Sequence, residues 1–258
     1  METILSLLII CLITYIAYIK NSLSGSGAMM ALFVGAIISL ANGFEFIAVL
    51  LTFFISSSLL SKWKLSMKQK LEEDLYDKTG RRDWQQVLAN GAVGTVCAFF
   101  YWLEPSTSLS FAFYASFAAA NADTWASEIG VLSKKQPISI IRWKPIEKGL
   151  SGGVSLLGLG ASALGAMLIG LIYLVFTNDL MGFIWLILIG FMGSILDSVL
   201  GAVLQPVYHN KSKDVLTEKA SDSTQQYEKV KGISWFTNDV VNVTCVVIAA
   251  VMGWYVKS

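Results

Sequence analysis

Met181 to Leu204 read MGFIWLILIGFMGSILDSVLGAVL, an apolar run of 24 residues in which Asp197 is the only charged side chain. A helix crosses the hydrocarbon core of a bilayer with about 20 predominantly apolar residues. A carboxylate inside such a helix is costly in lipid and is therefore a functional candidate by default. This stretch predicts a transmembrane helix that carries part of a polar site.

Seven further apolar runs lie along the chain, and together they define the class of protein. Of the 258 residues, 55% are hydrophobic and 14% are charged, and the mean hydropathy is +0.61. Soluble domains carry about 25% charged residues, so a soluble fold is excluded. We expect an all-α polytopic transmembrane bundle of about eight spans, forming a single integral membrane domain of residues 1–258. The predicted spans are Ile4–Ile19, Ala28–Ala41, Phe44–Ser61, Val87–Leu103, Leu109–Leu132, Gly153–Phe176, Met181–Leu204 and Asp239–Val256.

Two of these spans leave an alternative open. The second, Ala28–Ala41, is short, so it either crosses the membrane or re-enters on the same side. The first is followed by small residues that could form a signal-peptide cleavage site. However, the residues before it contain Glu2 and no Lys or Arg, whereas a signal peptide begins with a basic region. We therefore expect the first run to be a retained span.

The distribution of Lys and Arg predicts the orientation of the bundle. Of the 19 basic residues, all but Lys257 lie in alternate loops, and the loops between them carry none. By the positive-inside rule the basic loops are cytoplasmic, which places both termini outside a cell membrane. Residues 62–86 and 205–235 are cytoplasmic loops, and within the second we expect Lys211–Lys231 to be a mobile solvated segment. The net charge of +1 gives no reason to expect a nucleic-acid partner.

Polar side chains inside the spans gather at one depth, just below the predicted cytoplasmic surface. Four carboxylates in a low-dielectric setting repel one another unless they are protonated or bridged by a cation. Mg²⁺ takes oxygen ligands and is usually shared with substrate phosphates. We therefore expect a magnesium site, with Asp123, Asp197 and Glu128 in catalysis. The predicted metal ligands are Asp123, Glu128, Asp197 and Asp239. The alternative is that these side chains only hydrogen-bond the helices to one another.

A glycine-rich turn, Lys148–Ser155 (KGLSGGVS), precedes the sixth span. Backbone N–H groups at a helix N-terminus, with a lysine nearby, form a site suited to phosphate. We expect this turn to open a helix and to bind the phosphates of a substrate or nucleotide. The predicted binding residues are Lys148, Gly149, Ser151, Gly152, Gly153, Ser155, Asn121, Gln205, Asn238 and Asn242.

Four blocks of the sequence resemble the family known as domain of unknown function 92. They are NADTWASEIG (121–130), GLSGGVSLLG (149–158), GSILDSVLGAVLQ (193–205) and NDVVN (238–242). That family contains animal transmembrane protein 19 and plant phytyl-phosphate kinase. The resemblance implies a multi-span enzyme that phosphorylates an isoprenyl monophosphate with CTP or another nucleoside triphosphate. It assigns family motif positions to Asp123, Glu128, Asp197, Gln205, Asn238 and Asp239. Leu150 stands where the family's glycine block has a threonine, which argues against a hydroxyl contact there.

Three functions stay open from the sequence. The first is a Mg²⁺-dependent phosphotransferase that acts on a phytyl-like isoprenyl monophosphate among membrane lipids. In that enzyme, loop cations could hold phosphates: Arg81, Arg82, Lys134, Lys135, Arg142, Lys144 and Lys148. The second is an ion-coupled transporter or lipid flippase, although acids on one side of the membrane argue against a midplane transport site. The third is a cytidylyltransferase-like lipid enzyme that releases diphosphate. The oligomeric state, including a homodimer, also stays open.

Overall fold

The computed structural model describes residues 2–64, 68, 80–212, 214–222 and 225–258. Within these ranges the chain consists mainly of long helices, which confirms the expected all-α class. They are α1 Glu2–Ile19, α2 Gly25–Lys62, α3 Trp84–Leu103, α4 Thr107–Gly130, α5 Leu156–Thr177, α6 Leu180–Leu204 and α7 Asn238–Val256. Of the loop predicted at 62–86, residues 65–67 and 69–79 lie outside the described part of the chain.

Helix α2 is interrupted halfway and reverses there. Asn42 (φ −144°, ψ 41°) and Gly43 (φ 46°, ψ −127°) leave helical geometry, and glycine adopts such a positive φ at little steric cost. The two ends of α2 meet again beside Arg82. The Ser24 N–H donates to the Arg82 carbonyl at 2.9 Å, and the Arg82 side chain donates to Ser57 Oγ at 3.0 Å. The two halves of α2 therefore form a helical hairpin.

This hairpin consists of α2a, residues 25–41, and α2b, residues 44–62, which are the second and third predicted spans. With them, the described chain runs from one end of the bundle to the other eight times. We call the end that carries Lys20, Lys62 and Arg82 the basic end; there Lys62 Nζ donates to the Lys20 carbonyl at 2.6 Å. Since α2a runs from the basic end to the reversal, it passes through the bundle and does not re-enter.

The opposite end of the bundle collects the chain termini and the short turns. Ser108 Oγ donates to the carbonyl of Lys257 at 2.7 Å, and the Lys257 ammonium pairs with Asp179 at 2.6 Å. Near the other terminus, Glu2 lies beside Gly43 at the α2 reversal. Both termini thus lie at the same end, as an even number of passages requires.

Helix α4 is the centre of the bundle. It contacts α2, α3, α5, α6 and α7, and every residue from Phe111 to Ala122 is buried. Phe113 stacks on Phe46 of α2b with ring centroids 3.9 Å apart. The other six described helices are long and apolar enough to cross a membrane. Helix α4 is more polar than these six helices, and it tolerates its polar residues because protein and not lipid surrounds it.

Two small antiparallel sheets lie at the basic end. The first pairs β1 Ile138–Ser139 with β2 Gly153–Val154. The second has the order β4-β3-β5, and its strands are β3 Val207–Asn210, β4 Val215–Thr217 and β5 Glu228–Lys231.

The second sheet corrects the expectation that Lys211–Lys231 is a mobile solvated segment. This segment is held to the end of α6: Lys231 Nζ donates to the Ala202 carbonyl at 2.7 Å, and the Ile233 N–H donates to the Leu204 carbonyl at 2.8 Å. The prediction was wrong because it was based on the polarity and mixed charge of the segment. It did not use the β-branched and aromatic residues in the segment, which are typical of strands.

Candidate functional site

A cavity of about 790 Å³ opens at the basic end of the bundle. Its volume lies within the range of small-molecule sites, about 300 to 1,000 Å³. Residues from α2b, α3, α4, α5, α6 and α7 line it, together with the glycine-rich turn. The structure brings nearly all the predicted site residues to this one cavity. They are Asp123, Glu128, Lys148, Gly149, Ser151, Gly152, Gly153, Ser155, Asp197, Gln205, Asn238, Asp239 and Asn242.

Asn121 is the predicted binding residue that does not line this cavity. Its side chain is fully buried. The Asn121 Nδ2 donates to the Gly165 carbonyl of α5 at 2.7 Å, and its Oδ1 accepts a hydrogen bond from Ser56 Oγ of α2b at 3.0 Å. Asn121 therefore joins three helices to one another, a packing role in place of the expected ligand contact.

The centre of the cavity carries two neighbouring carboxylates. Asp123 of α4 and Asp197 of α6 lie close enough to repel each other electrostatically. Asp197 Oδ2 is buried without a hydrogen-bond partner in the described residues, and so is Asn242 Oδ1 of α7. A buried acceptor without a donor costs about 1 to 3 kcal/mol. Oxygen acceptors that lack donors fit a hard divalent cation such as Mg²⁺, so Asp123, Asp197 and Asn242 are the residues that could hold one.

Glu128 does not join this pair of acids. Its Oε2 lies 2.5 Å from the ammonium of Lys68, whose side chain is 1% exposed, and the Ser61 hydroxyl donates to its other oxygen. A lysine therefore already balances its charge. Among the described residues, no three Asp, Glu, His or Cys side chains form a group that could hold a metal ion. The expected cluster of four acids is thus not formed, because Lys68 follows α2 closely enough to reach the end of α4.

Glu218, in the turn after β4, is a site residue that the sequence analysis missed. Its Oε1 accepts hydrogen bonds from Ser151 N–H at 3.0 Å and Ser151 Oγ at 2.5 Å, and its Oε2 accepts one from Gln205 Nε2 at 2.6 Å. Burial raises the pKa of Glu218 to about 7, and this effect outweighs the lowering by the Ser151 hydrogen bonds and by Lys231. At neutral pH this carboxyl group is therefore partly protonated.

The glycine-rich turn, Lys148–Ser155, leads into α5 through its last residue. Gly153 pairs with Ser139 in the small sheet. Helix α5 begins three residues later, and the hydroxyl of its N-cap Ser155 accepts the Gly158 N–H at 3.1 Å. The first turn of the helix is therefore capped by its own serine. The turn and the start of α5 form part of the cavity wall, and phosphate binding there stays a prediction.

Gly152 lines the cavity, and the side on which a Cβ would stand is filled by Ala202 of α6. Its φ is +86°, and a Cβ built on it would lie 2.8 Å from the Ala202 Cα on α6. The glycine is needed for that conformation and that close approach. Lys148, at the start of the turn, lines the cavity and donates to the Ser133 carbonyl at 2.5 Å.

Comparison with known proteins agrees with this architecture. The model of the family described as "Integral membrane protein DUF92" matches residues 8–250. The chain belongs to the DUF92 family. No solved structure matches the chain significantly.

Three curated relatives of this DUF92 chain differ in how much they share with it. "Protein PGR" of Arabidopsis thaliana is 34% identical over 187 residues, which are 67% of this chain and 64% of that protein. "Uncharacterized membrane protein MJ0933" of Methanocaldococcus jannaschii is 34% identical over 183 residues, 68% of this chain and 74% of that protein. "Protein VTE6, chloroplastic" of Arabidopsis thaliana is 29% identical over 152 residues, 57% of this chain and 45% of that protein. The chain thus spans less than two thirds of either plant relative.

The four sequence blocks that resemble the DUF92 family all contribute walls of the cavity. They belong to α4, the glycine-rich turn, α6 and the start of α7. Glu218 lies outside all four blocks. A signal for it was present in Val207–Asn210 and Val215–Thr217, which read as two strands of a hairpin. This hairpin begins at the end of α6. Its second strand runs back towards α6, so Glu218, the residue after that strand, lies near the end of the helix.

Proposed function

We propose that this DUF92 protein is a membrane-embedded phosphotransferase that converts an isoprenyl monophosphate into the diphosphate, with a nucleoside triphosphate as donor. One observation carries the proposal: buried oxygens of Asp197 and Asn242, which have no hydrogen-bond partner among the described residues, share a cavity with the cations of Arg82 and Lys148. Acceptors for a divalent cation and cations for phosphates are the two groups that phosphoryl transfer requires. The family resemblance to phytyl-phosphate kinase, together with the similarity to Protein VTE6, supports the substrate class.

The proposed reaction needs positioning more than acid–base chemistry. An oxygen of the isoprenyl monophosphate attacks the γ-phosphorus of the nucleotide, and the bond between that phosphorus and the bridging oxygen breaks. The products are an isoprenyl diphosphate and a nucleoside diphosphate. The second pKa of a phosphomonoester is about 6, so the attacking oxygen is already ionised at neutral pH. The protein's task is to bring two anions together.

Different residues of the cavity would bind the phosphates and the metal ion. Arg82 and Lys148 attract the phosphates from the α3 and glycine-turn sides of the cavity. Asp123, Asp197 and Asn242 would hold Mg²⁺, which, when bound, neutralises charge on the nucleotide phosphates. The surrounding helices lower the effective dielectric constant in the cavity and thereby strengthen these interactions.

We also propose that the basic end faces the cytoplasm, where nucleoside triphosphates are available. The alternating basic loops support this orientation. The position of the acids along α4 favours an enzyme over a transporter. Asp123 lies on the basic side of the aromatic core formed by Phe113 and Phe117, which are fully buried. The polar site therefore lies towards one end of the bundle and not at its midplane.

The test is an assay of purified protein with Mg²⁺, nucleoside triphosphates and a panel of isoprenyl monophosphates. A phosphotransferase places the γ-labelled phosphorus in an isoprenyl diphosphate. A cytidylyltransferase instead places the α-labelled phosphorus in the lipid and releases diphosphate. Asp197→Asn should abolish the γ-transfer, whereas Asp214→Asn, an exposed acid of the β3–β4 turn, should not change it. Protein that is folded but makes neither product with any member of the panel would contradict the proposal.

A further inference from the structure

A second, apolar pocket lies next to the large cavity. Its volume is about 60 Å³, and α1, α2 and α3 supply most of its lining. The apolar lining includes Ile10, Ile13, Leu23, Val34, Leu51 and Phe117. Such a pocket has room for a short hydrocarbon segment, and its polar lining is limited to Thr14, Arg82, Gln86 and Asn90.

The two cavities share one wall. Arg82, Gln86 and Asn90 line both of them. Gln86 and Asn90 are one turn apart on α3 and therefore lie on the same face of that helix. A molecule with an apolar chain and an anionic head would thus place its chain in one cavity and its head in the other, with these three side chains at the boundary.

The backbone of Arg82 is fixed before any ligand arrives. Its N–H donates to the Ser22 carbonyl at 3.1 Å, and its carbonyl accepts the Ser24 N–H at 2.9 Å. Gly27 permits this approach, because a Cβ there would collide with the Arg82 carbonyl. The residue is thereby clamped between the α1–α2 turn and the start of α3.

The guanidinium of Arg82 is poorly satisfied. Within the described residues its single hydrogen bond goes to the neutral hydroxyl of Ser57, at 3.0 Å, and it forms no ion pair. A guanidinium carries five N–H donors. Desolvation lowers the pKa of Arg82, which the charge of Glu128 partly offsets. A half-buried cation in this state favours an anion, and the planar fork of arginine matches phosphate.

We propose that the apolar pocket binds the first isoprene units of an isoprenyl monophosphate and that Arg82 binds its phosphate. This inference rests on the proposed function and adds the place of the acceptor substrate. The rest of the chain extends into lipid beside α1, which packs mainly on α2 and leaves Leu8 and Leu12 exposed. The phosphate then lies at the edge of the cavity that holds Asp123 and Asp197.

The test is a binding measurement without nucleotide, so that it does not depend on turnover. Labelled geranylgeranyl monophosphate is titrated into the protein in lipid nanodiscs. Ile13→Trp, which fills the pocket, should weaken binding at least 10-fold. Leu164→Trp is the control, because Leu164 is 52% exposed and lies on α5, which does not line the pocket; it should leave binding unchanged. Gly91→Leu fills the same pocket from α3 and serves if the first variant does not fold.

A second arm of the experiment tests binding of the phosphate group separately from binding of the isoprenyl chain. Arg82→Gln should weaken binding of the monophosphate at least 10-fold and leave binding of geranylgeraniol, the uncharged alcohol, within 2-fold. Inorganic phosphate and dioleoyl phosphatidic acid are the competitors. Inorganic phosphate should compete poorly because it lacks the chain, and phosphatidic acid should compete poorly because its two chains do not fit the pocket.

The outcomes distinguish this inference from the proposed function. Equal binding by wild type and both pocket-filling variants would overturn the placement of the chain even if γ-phosphate transfer is observed. Competition by phosphatidic acid as strong as by the isoprenyl monophosphate would overturn the isoprenyl assignment. Conversely, selective binding that depends on Ile13 and Arg82, without any turnover, would support the subsite and count against the kinase reaction.

Discussion

Glu128 and Lys68 form a buried ion pair with 2.5 Å between Oε2 and Nζ. It joins the end of α4 to the segment that follows α2, beside the large cavity. Breaking a buried pair by removing one partner is costly, because the remaining charge stays buried without compensation. The pair therefore has a structural role that can be measured separately from chemistry.

The first prediction concerns this pair. Lys68→Met should destabilise the protein by about 3 to 5 kcal/mol, because Glu128 is left charged and buried. The double variant Lys68→Met, Glu128→Gln should recover most of that loss. Thermal unfolding in detergent measures both effects. A double variant as unstable as the single one would show that the lysine acts by packing and not by charge.

The second prediction concerns the two central acids. Asp123→Asn and Asp197→Asn should each abolish phosphoryl transfer while the protein remains folded. Each substitution removes one of two neighbouring like charges, so stability without metal should be unchanged or higher. In wild type, Mg²⁺ should raise the melting temperature, and it should not do so in these variants. An equal Mg²⁺ effect in wild type and both variants would exclude them as ligands.

The third prediction is a pH dependence that comes from Glu218. Its pKa in the folded protein is about 7, against an ordinary value of 4.5. The folded state therefore holds this proton more tightly than the unfolded state does, and stability falls as the pH rises from about 4.5 through 7. Glu218→Gln should remove this decline and be more stable than wild type at pH 8, by about 3 kcal/mol.

Melting temperatures of both proteins between pH 4 and pH 8 test this prediction. Glu228→Gln is the matched control, because Glu228 lies in the same sheet but is exposed and paired with Lys211. It should keep the wild-type decline. Parallel curves for wild type and Glu218→Gln would mean that other groups cause the pH dependence.

The fourth prediction concerns orientation. In a background without the three native cysteines, Glu104→Cys at the opposite end should react with an impermeant thiol reagent in intact cells. Arg142→Cys at the basic end should react only after permeabilisation. Both positions are exposed. The reverse labelling pattern would place the cavity outside the cytoplasm and remove its supply of nucleotide.

Hydrophobic runs and loop charges predicted most of the fold. Local sequence patterns predicted each of the eight spans and the convergence of the blocks around Asp123, Asp197 and Asn242. This is possible because bilayer thickness sets the length of an apolar run, and the helix period sets which residues share a face. Lys68 and Glu128 are 60 positions apart, and their pairing depends on how the chain returns after α2. No local pattern encodes such a contact.

Glu218 escaped prediction for a related reason. Its role depends on a sheet whose strands are only three or four residues long and whose stability comes from docking on α6. Asn121 was predicted to line the site and does not. It lies within a family block and at the depth of the cavity, but a step of one residue along a helix turns the side chain by about 100°. That rotation decides between the cavity and the packed core.

The central position of α4 has a consequence for biogenesis. Helix α4 is the described helix that falls short of the apolarity expected of a membrane span, and its acid Asp123 makes insertion into lipid more costly. It is joined to α3 by only the three residues between Leu103 and Thr107. We therefore expect α3 and α4 to insert as a pair, with Asp123 reaching its final surroundings only once α6 and α7 are present. The helix at the centre of the bundle would then be the one least able to stay in lipid without its neighbours.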